Sequence, residues 1–600
     1  MYGYRGKLLR INLSDNNVIV ENIPIGLYKK YLGGRGVAAK IYYDEIPPNI
    51  NPLMPENKII LFTGPFTGTP IFSSSKIVLT TKSPLTGVYL TTNAGGYFGA
   101  ELKSAGYDGL IIEGKATQPS YISIMDGDIK IKPAVEIWGK SAFESQKYVK
   151  EEMGDKRTHV ISIGAAGERY VKFASIMCDD RFFGRGGAGA VMASKKLKAI
   201  GVRGSASIEL ACPNELKSKL KEAIPLLKET THNHTKLGTH HYMEIIYDLG
   251  AYPLFNFQKT TSKDMDNLIN EIYTRNAVST RCFACPVACG KLFEITKGEY
   301  KGLKVRPEYE TVWSLGPHCG IFDFDNILTL NYICNHYGVD SITAGYMIGF
   351  AMELYSRGIL TNKDLDGLKL EFGDCEAAAK ILKMVCEREG IGNILAEGSR
   401  SASEIIGKGT SYYALHVKGM ELTAYEPRAF HGMALTYATS SRGACHNVGG
   451  WTIRDELIKK TVDRYAIIGK GTLVKKLQDL RAYIDSLGVC TIPRRSLGLT
   501  EEASGDLISL TTGVSFEALM HIGERIYNLE RLILNREGIS RKDDSIPQRL
   551  KIEPLPDGMA KGHKIAEQDF SEMLNEYYLE RGWSVDGKVT KKTAKQFEIP

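Results

Sequence analysis

Long apolar runs are missing from this sequence. No stretch reaches the roughly 18 consecutive apolar residues that a membrane-spanning helix needs. The best candidate, residues 344–354, is short and contains Glu353, so a buried helix is predicted there. The N-terminus, MYGYRGKLLRINLSDNN, also lacks the apolar core and the small-residue cleavage site of a secretory signal. We therefore expect a cytoplasmic protein without a membrane span.

Concentrated charge is also missing. The formal charge of +7 comes from 76 basic and 69 acidic residues that are spread along the chain. This pattern argues against a nucleic-acid-binding protein, which usually carries a basic patch. The 43% hydrophobic and 24% charged residues are typical of a globular protein and exclude a disordered or collagen-like chain. The 11 cysteines are scattered and odd in number, which indicates free thiols and metal ligands and not a disulfide framework.

Secondary-structure patterns change once along the chain. Residues 1–208 contain short β-type segments between glycines, such as KLLRINL, NKIILFTG and DGLIIEG. From Cys212 onward, apolar residues recur every three or four positions, as in CEAAAKILKMVCERE, which predicts helices. Breaks near residues 203–213 and 407–412 suggest domain limits. The predicted fold class is α+β, with a β-rich domain over 1–208 and two mainly helical domains over 209–412 and 413–600.

A compact cysteine motif is the strongest local signal. Cys282, Cys285 and Cys289 have the spacing C-x2-C-x3-C, which lets one loop wrap a metal or a cluster while a fourth ligand comes from elsewhere. Cys445 and Cys490 are the candidates for that ligand. A structural zinc site is the alternative, but no second C-x2-C pair is present. A radical cluster would need the opposite order of spacings, so an iron-sulfur cluster is favoured.

Glycine-rich segments indicate close backbone approach to a ligand. Residues 184–189, GRGGAG, match G-x-G-x-x-G, but no acidic residue ends the next strand as a dinucleotide site requires. We interpret the segment as an approach to a phosphate, with Arg181 and Arg185 supplying charge-assisted hydrogen bonds. A plain tight turn is the alternative. The segment TTNAGG, which includes Asn93 and Gly95, has the same two interpretations.

Two further patterns contain ionisable residues among small or apolar neighbours. They are PEYE, with Glu308 and Glu310, and SRGACH, which ends at His446. Such residues are either functional or satisfied groups of the core. Residues 335–340, NHYGVD, and 485–490, DSLGVC, share a short pattern, for which two ordinary glycine helix caps are the simplest explanation.

These motifs together resemble one family. The segments GGRG, TTNAGG, GRGGAGAVMASKKLKAI, CFACPVAC, RPEYET, the paired x-x-G-V motifs, KGMELTAYEPR and RGACH follow the order found in aldehyde ferredoxin oxidoreductases, over essentially the whole chain. The resemblance implies a β-rich base that cradles a bis-pterin cofactor of tungsten or molybdenum, capped by two helical domains. It also implies a [4Fe-4S] cluster and Mg²⁺ bridging the pterin phosphates.

The resemblance assigns residues to these groups. It gives Cys490 as the fourth cluster ligand beside Cys282, Cys285 and Cys289, and leaves Cys445 near the metal site. Lys76 stands where the family has arginine, and Asn335 where it has aspartate, so both contacts differ in charge or geometry. The implied cofactor-binding residues are Lys76, Asn93, Gly95, Arg181, Phe182, Gly184, Arg185, Gly186, Val339, Asp340, Arg442, Asp485 and Val489.

The family's chemistry gives the catalytic expectation. His446 would donate a hydrogen bond to the aldehyde oxygen, and Glu310 would act as general base with a pKa raised by burial. Glu308 is the competing base, and Tyr425 and His431 are further pocket candidates. The cluster would then pass single electrons to ferredoxin or to a dedicated iron-sulfur electron-transfer subunit.

Other functions are compatible with the same motifs. A reductive catalytic subunit acting on an aromatic acyl-coenzyme A or carboxylic acid is the alternative within the family, and a non-catalytic zinc or iron-sulfur protein the alternative outside it. Homodimers occur in the family, in some cases through a metal on an E-x-x-H pattern. The match here, Glu229 to His232, is interpreted as chance. The tail after Pro556 is expected to form a solvated, charged surface.

Overall fold

A computed structural model describes all 600 residues, and its first part is built on two six-stranded sheets. The first sheet contains β1 (Lys7–Asn12), β2 (Asn17–Asn22), β3 (Ile59–Thr63), β4 (Ile77–Lys82), β5 (Tyr89–Ala94) and β6 (Gly109–Glu113). The second contains β7 (Ser120–Met125), β8 (Asp128–Pro133), β9 (His159–Ser162), β10 (Ile176–Cys178), β11 (Arg181–Phe183) and β12 (Leu197–Arg203). Both sheets lie within residues 1–208, the region predicted to be β-rich, but β2, β10 and β11 were not among the predicted β-type segments.

Each sheet is mainly antiparallel. The strand orders are β2-β1-β6-β3-β4-β5 and β11-β10-β9-β12-β7-β8, and each sheet has one parallel pair, β1 with β6 and β12 with β7. A core of 31 buried apolar residues contains side chains from both sheets. Helices connect the strands: α1 (Ile25–Tyr31), α2 (Gly34–Glu45), α3 (Phe98–Ser104), α4 (Ala142–Met153), α5 (Ala165–Glu168) and α6 (Ala188–Ser194).

The middle of the chain is mainly helical. It contains α7 (Pro213–Leu237), α8 (Met243–Asp248), α9 (Met265–Thr274), α10 (Tyr309–Leu315), α11 (Phe324–Tyr337), α12 (Ser341–Ser356), α13 (Cys375–Glu387), α14 (Ile391–Leu395) and α15 (Ser399–Ile406). A small antiparallel sheet interrupts the helices with β13 (Val278–Thr280), β14 (Gly290–Glu294) and β15 (Lys304–Val305). The predicted buried helix at residues 344–354 is the interior of α12.

The last part of the chain is also mainly helical. It begins with the short pair β16 (His416–Val417) and β17 (Met420–Glu421). Its helices are α16 (His431–Thr439), α17 (Lys470–Leu487), α18 (Asp506–Thr512), α19 (Leu519–Arg536), α20 (Gln548–Ile552), α21 (Glu567–Arg581) and α22 (Lys591–Gln596). None of the helices is both long enough and apolar enough to cross a membrane. The α+β fold class is thus confirmed, while the domain limits at 208 and 412 stay predictions.

The C-terminal tail is part of the core. Phe570, Tyr577 and Trp583 are buried in the largest apolar cluster, which has 83 members. Phe597 and Ile599 are buried in a second cluster with side chains of β3, α17 and α19. The charged side chains of the tail are mostly exposed, as expected, but the tail is not only a surface segment, because its aromatic side chains belong to the core. The tail contains many charged residues, but the aromatic side chains of α21 and of the turn that follows it point into the core.

Candidate active site

A cavity of about 310 Å³ lies where β5 and β11 face the end of α11 and the start of α12. Its volume is in the range of small-ligand sites. Its walls bring together eight of the residues predicted to bind the cofactor: Lys76, Asn93, Gly95, Arg181, Phe182, Gly184, Val339 and Asp340. Asn335, the residue that departs from the family pattern, lies on the same wall.

The cavity is lined by two arginines whose guanidinium groups keep donor atoms without hydrogen-bond partners. Arg181 donates through Nη1 to Oε1 of Glu308 at 2.9 Å, but its buried Nε and Nη2 have no hydrogen-bond partner. Arg306 donates to the same Glu308 oxygen at 2.9 Å, and its Nε is also buried without a hydrogen-bond partner. Because an unpaired buried donor is costly, these groups fit an anionic ligand such as a phosphate.

Asn93 connects two other predicted residues. Its Oδ1 accepts from Nζ of Lys76 at 3.3 Å, and its Nδ2 donates to Oδ1 of Asp485 at 3.3 Å. Asp485 lies in the last turn of α17, and its carboxylate also accepts from Arg481 at 3.0 Å. The sheet and the C-terminal helices are thus joined by polar contacts at one edge of the cavity.

The paired x-x-G-V motifs end two helices. Gly338 and Gly488 cap α11 and α17 with φ of 75° and 80°, values that favour glycine. The helix-cap interpretation is therefore confirmed. After the first cap, Asp340 begins α12 and accepts hydrogen bonds from the backbone of Ile342 and Thr343, both at 3.2 Å. The caps bring Asp340 and Asp485 into positions where each carboxylate keeps capacity for a further partner.

Arg185 lies away from the cavity wall. It donates to Oδ2 of Asp340 at 3.3 Å and to the backbone carbonyls of Ala444 and Glu421, both at 2.8 Å. The structure therefore gives Arg185 contacts that join the glycine-rich segment to α12 and to the SRGACH segment. Gly186 also contacts another segment of the protein, since its carbonyl accepts a hydrogen bond from Ser83 Oγ at 2.7 Å.

The glycine-rich segment does not form a dinucleotide-binding unit. The preceding strand, β11, pairs antiparallel with β10, whereas that unit needs parallel strands joined by a helix. The sequence-based rejection of a dinucleotide site thus agrees with the topology.

Glu310 and His446 meet inside the protein. Glu310 is in the first turn of α10; its Oε2 accepts from the backbone of Ala424 at 3.0 Å, and its Oε1 lies 3.1 Å from Nδ1 of His446. The two side chains are 12% and 15% exposed. Burial raises the pKa of Glu310 to about 8, and the nearby Cys445 and Asp340 add to this while Ala424 and Arg185 oppose it.

The paired histidine is neutral. Burial, followed by the charges of Arg185 and Arg442, lowers the pKa of His446 well below its usual value. At neutral pH the Glu310 carboxyl is therefore mostly protonated and the imidazole uncharged, so their contact is not an ion pair. Oε1 of Glu310 makes no well-directed hydrogen bond, which leaves it available for proton transfer.

Glu308 has a different environment. Its Oε1 accepts from Arg181 and Arg306, and its Oε2 accepts from Thr239 at 2.8 Å. Both oxygens of Glu308 are therefore occupied by protein donors. Of the two candidate bases, Glu310 is the one with an oxygen that has no hydrogen-bond partner.

Of the two further pocket candidates, one lies at this site. The ring of Tyr425 is 5.1 Å from that of His446 and 5.6 Å from that of Tyr309. His431 instead packs against Tyr465 at 5.7 Å and contacts neither Glu310 nor His446. Thr423 links His446 to Tyr437. Its Oγ1 is 3.2 Å from Nδ1 of His446 and 2.9 Å from the Tyr437 hydroxyl.

The cysteine loop and Cys490 are joined through Ser73. The Ser73 backbone N–H donates to Ala284 at 2.8 Å, its carbonyl accepts from Cys490 N at 3.1 Å, and its Oγ donates to Cys285 Sγ at 3.1 Å. Cys490 therefore lies beside the loop, as its assignment as fourth ligand requires. Cys289 is also near, because its thiol and that of Cys490 are within electrostatic range of each other.

The backbone of the cysteine loop, residues 282–289, turns sharply at two positions. Ala284 and Ala288, which precede Cys285 and Cys289, have φ of 48° and 49°, a left-handed conformation that costs a non-glycine residue about 1 kcal/mol. Gly95 lets the loop approach, since a Cβ there would lie 2.8 Å from the Cys282 sulfur. No three or more His, Cys, Asp or Glu side chains converge as ligands of a single ion.

Cys445 lies apart from this loop. Its sulfur accepts from Arg442 Nη2 at 2.9 Å and from the backbone of Asn447 and Val448 at 3.3 Å. Burial alone would raise the pKa of this thiol, but Arg442, the Val448 N–H and Arg185 bring it below its ordinary value. The Arg442 guanidinium also donates to the Thr91 carbonyl at 2.9 Å, so it joins the third part of the chain to β5.

Sequence reasoning missed three residues of the site. Ser73 has no motif signal, because its role depends on a backbone contact. Arg306 stands next to the recognised PEYE segment and could have been included. Glu421, fully buried in KGMELTAYEPR, accepts from Ser399 and Thr343 and lies 3.8 Å from Arg185.

Comparisons with known proteins agree with this architecture. Residues 8–204 match the model of the N-terminal domain of aldehyde ferredoxin oxidoreductase, and residues 215–599 match the model of its domains 2 and 3. The chain is 40% identical to a tungsten-containing aldehyde ferredoxin oxidoreductase of Pyrococcus abyssi, covering 100% of this chain and 99% of that one.

Two more distant proteins are also similar. The chain is 33% identical to the WOR-like subunit of an aliphatic sulfonate oxidoreductase of Pyrococcus furiosus, over 98% of this chain and 96% of that one. Among solved structures, it is similar to the active-site complex BamBC of benzoyl-coenzyme A reductase bound to 1,5-dienoyl-CoA. The TM-score is 0.86 at 25% identity, over 100% of this chain and 97% of that one.

Proposed function

The chain belongs to the aldehyde ferredoxin oxidoreductase family, and on that premise we propose that it oxidises an aldehyde to the carboxylic acid at a tungsten or molybdenum bis-pterin centre. Membership implies an oxidoreductase with a tungsten pterin cofactor. The observation that carries the proposed reaction is the buried contact between Glu310 and neutral His446, in which one carboxyl oxygen has no well-directed partner.

The cavity residues fit such a cofactor. Arg181 offers two unpaired donors for phosphates, and Lys76 offers a second cationic group. Asp340 and Asp485 supply carboxylates for the ring nitrogens of two pterins, and Asn335 supplies an amide with both donor and acceptor capacity. Mg²⁺ would supply further positive charge for the phosphate groups. The remaining assigned residues, Asn93, Gly95, Phe182, Gly184, Gly186, Arg442, Val339 and Val489, would line or support the group.

The bound metal supplies the two-electron acceptor; the chain supplies the proton chemistry. The overall change is R–CHO plus water to R–COOH, two electrons and two protons. Glu310, as carboxylate, takes a proton from the attacking water. Nδ1 of His446 lies 3.2 Å from the Thr423 hydroxyl, and we assign the hydroxyl as donor to Nδ1, so the ring proton is on Nε2. Nε2–H then donates to the aldehyde oxygen and makes the carbon more electrophilic.

The cysteines would hold the group that passes electrons singly to the acceptor. We assign Cys282, Cys285, Cys289 and Cys490 to one [4Fe-4S] cluster, and ferredoxin or a dedicated iron-sulfur subunit to the role of acceptor. Lys76 would support both groups, since its Nζ donates to Asn93 at 3.3 Å and its charge acts on Cys490. Arg185 supports the site by joining Asp340 to the segment that bears His446.

The test is aldehyde oxidation by protein purified without oxygen, with benzyl viologen as acceptor. We expect short aldehydes to reduce the viologen. In the Glu310→Gln variant the rate of aldehyde oxidation should fall at least a hundredfold, within the range of about 10²–10⁴ that general bases contribute. Reduction of an aromatic acyl-coenzyme A without any aldehyde oxidation would instead favour the reductive alternative, to which the BamBC likeness points.

A further inference from the structure

Two histidines face each other at the end of α7. His234 lies in the last turn of this helix, and His241 lies in the short 3-10 helix Gly238–Tyr242 that follows it. Their Nε2 atoms are 3.3 Å apart, and the centroids of the two rings are 4.3 Å apart. Neither Nε2 atom has another hydrogen-bond partner in the chain. We call these two residues the histidine pair, and the proposed mechanism uses neither of them.

The separation of the two Nε2 atoms suits a shared metal ion. Zinc binds histidine nitrogen at about 2.0–2.1 Å in tetrahedral sites, so two such ligands of one ion lie about 3.3 Å from each other. A direct N–H···N hydrogen bond between the rings is the alternative. At 3.3 Å that bond is long, because about 2.9–3.0 Å is typical of N–H donors. The geometry of the histidine pair therefore favours metal ligation over a simple hydrogen bond.

Both imidazoles are uncharged at neutral pH, which is the form that binds metals. Burial lowers the pKa of His234 to about 4, although the carboxylate of Glu308 opposes this shift. Burial, followed by the neighbouring His234, lowers the pKa of His241 to about 3. His240, the other titratable side chain beside the pair, is also neutral, because burial lowers its pKa to about 4. Protons therefore do not compete with a metal ion at neutral pH.

Contacts outside the histidine pair hold the ligands in place. Gly238, which ends α7 with φ of 67°, packs so closely against the cysteine loop that a Cβ there would lie 2.6 Å from the Cys289 carbonyl oxygen. The His241 ring packs against Tyr242 with centroids 3.8 Å apart, and Tyr242 packs against Trp451 at 4.9 Å. Because these contacts already order the segment, binding an ion costs little conformational entropy.

The histidine pair can be reached from solvent. Both residues are partly exposed, and Asn233, Thr235 and Lys236 around them are exposed. No third His, Cys, Asp or Glu side chain converges with the pair. Water therefore fills the coordination positions that the protein leaves open, and an ion with two protein ligands is held less tightly than one in a four-ligand structural site.

We propose that His234 and His241 bind one divalent transition-metal ion, such as Zn²⁺ or Ni²⁺, together with water ligands. Imidazole nitrogen selects such ions over Mg²⁺ and Ca²⁺, which prefer oxygen ligands. The ion fastens the end of α7 to the turn that carries Thr239. The hydroxyl of Thr239 donates to Glu308 at 2.8 Å and accepts from the Tyr309 N–H at 3.0 Å, so the ion also stabilises the start of α10. The site shares no residue with the proposed pterin, cluster or catalytic groups.

Calorimetric titration of the EDTA-washed holoenzyme with ZnCl₂, NiCl₂ and MgCl₂ tests the site. We expect one Zn²⁺ or Ni²⁺ per chain and no Mg²⁺. The variants H234N and H241N should bind the ion about tenfold more weakly or worse, since even residues that only support a ligand contribute about 10–100-fold to affinity. The matched control is H232N, which removes an exposed histidine from the same helix and should leave the affinity unchanged. Tungsten and iron contents show that each variant is otherwise intact.

The pH dependence of binding gives a second readout. Because both members of the histidine pair stay neutral, the affinity should be nearly constant between about pH 6 and 8, whereas exposed histidines with a pKa near 6.5 would lose affinity over that range. Absence of binding, unchanged affinity in H234N or H241N, or loss of affinity in H232N would overturn the site. None of these results depends on aldehyde oxidation, so the site and the proposed function stand or fail separately.

Discussion

Oε1 of Glu310 lies 3.1 Å from Nδ1 of His446. The carboxyl comes from the first turn of α10, and the imidazole comes from the loop after α16. Because burial raises the pKa of the acid to about 8 and lowers that of the histidine, both groups are mostly uncharged at neutral pH. A carboxyl with such a pKa can take up a proton once it is deprotonated, and the neutral imidazole can donate one hydrogen bond.

Exchange of the two neighbouring glutamates for glutamine distinguishes their roles. Glu310→Gln is expected to lower kcat at least a hundredfold, since it removes the base. Glu308→Gln keeps the base and only weakens the contacts to Arg181 and Arg306. We therefore expect kcat to fall by less than about tenfold. Steady-state aldehyde oxidation at equal metal content measures both. Equal losses, or a larger loss for Glu308→Gln, would contradict the assignment.

The pH dependence follows from the raised pKa of Glu310. The base is the deprotonated carboxylate, so kcat/KM rises with pH up to about 8 and levels off above it. Cys445 adds to that raised pKa, so Cys445→Ser is expected to move the rising limb to lower pH. Rate profiles between about pH 5 and 10 measure the shift. A limb that is unchanged by Cys445→Ser and retained by Glu310→Gln would show that another group titrates.

The cysteine assignments separate Cys490 from Cys445. Cys490→Ser removes a ligand beside the 282–289 loop and is expected to lower the iron content well below that of the wild type. Cys445→Ser should leave the iron content unchanged, because Cys445 contacts Arg442 and backbone amides. Iron analysis and the cluster's electron paramagnetic resonance signal report both. Loss of iron from the Cys445 variant alone would reverse the assignment.

Arg185 is expected to stabilise the fold through its three protein partners. Arg185→Met leaves the Asp340 carboxylate and two carbonyl groups without their donor and should cost about 3–5 kcal/mol. Arg157→Met, at an arginine that is 72% exposed, should change stability by less than about 0.5 kcal/mol. Urea unfolding midpoints of the two variants measure the difference. Similar midpoints would show that these three contacts of Arg185 do not stabilise the fold.

The sequence predicted the elements better than the contacts between them. Short β-type segments between glycines predicted most strands of the two sheets, and glycines predicted the caps at Gly338 and Gly488. The buried part of the tail was missed because its charged residues outnumber the aromatic side chains, such as Tyr577, that α21 buries. Local composition does not show which face of a helix meets the core.

The candidate site followed mostly from ordered motifs. Spacing alone grouped Cys282, Cys285 and Cys289, but left Cys445 and Cys490 as alternatives until the family resemblance favoured one. The Ser73 backbone contacts then show why Cys490 lies beside the loop. Arg185, expected at a phosphate, lies among protein groups instead, because the direction of a side chain depends on packing between distant segments.

Metal analysis of protein purified without oxygen tests the account most directly. Tungsten, molybdenum, iron and zinc are counted per chain by mass spectrometry. The account predicts about one tungsten or molybdenum and about four irons, as one pterin centre and one four-cysteine cluster require. About one zinc with no tungsten, molybdenum or iron would contradict it and identify the cysteine loop as a structural zinc site.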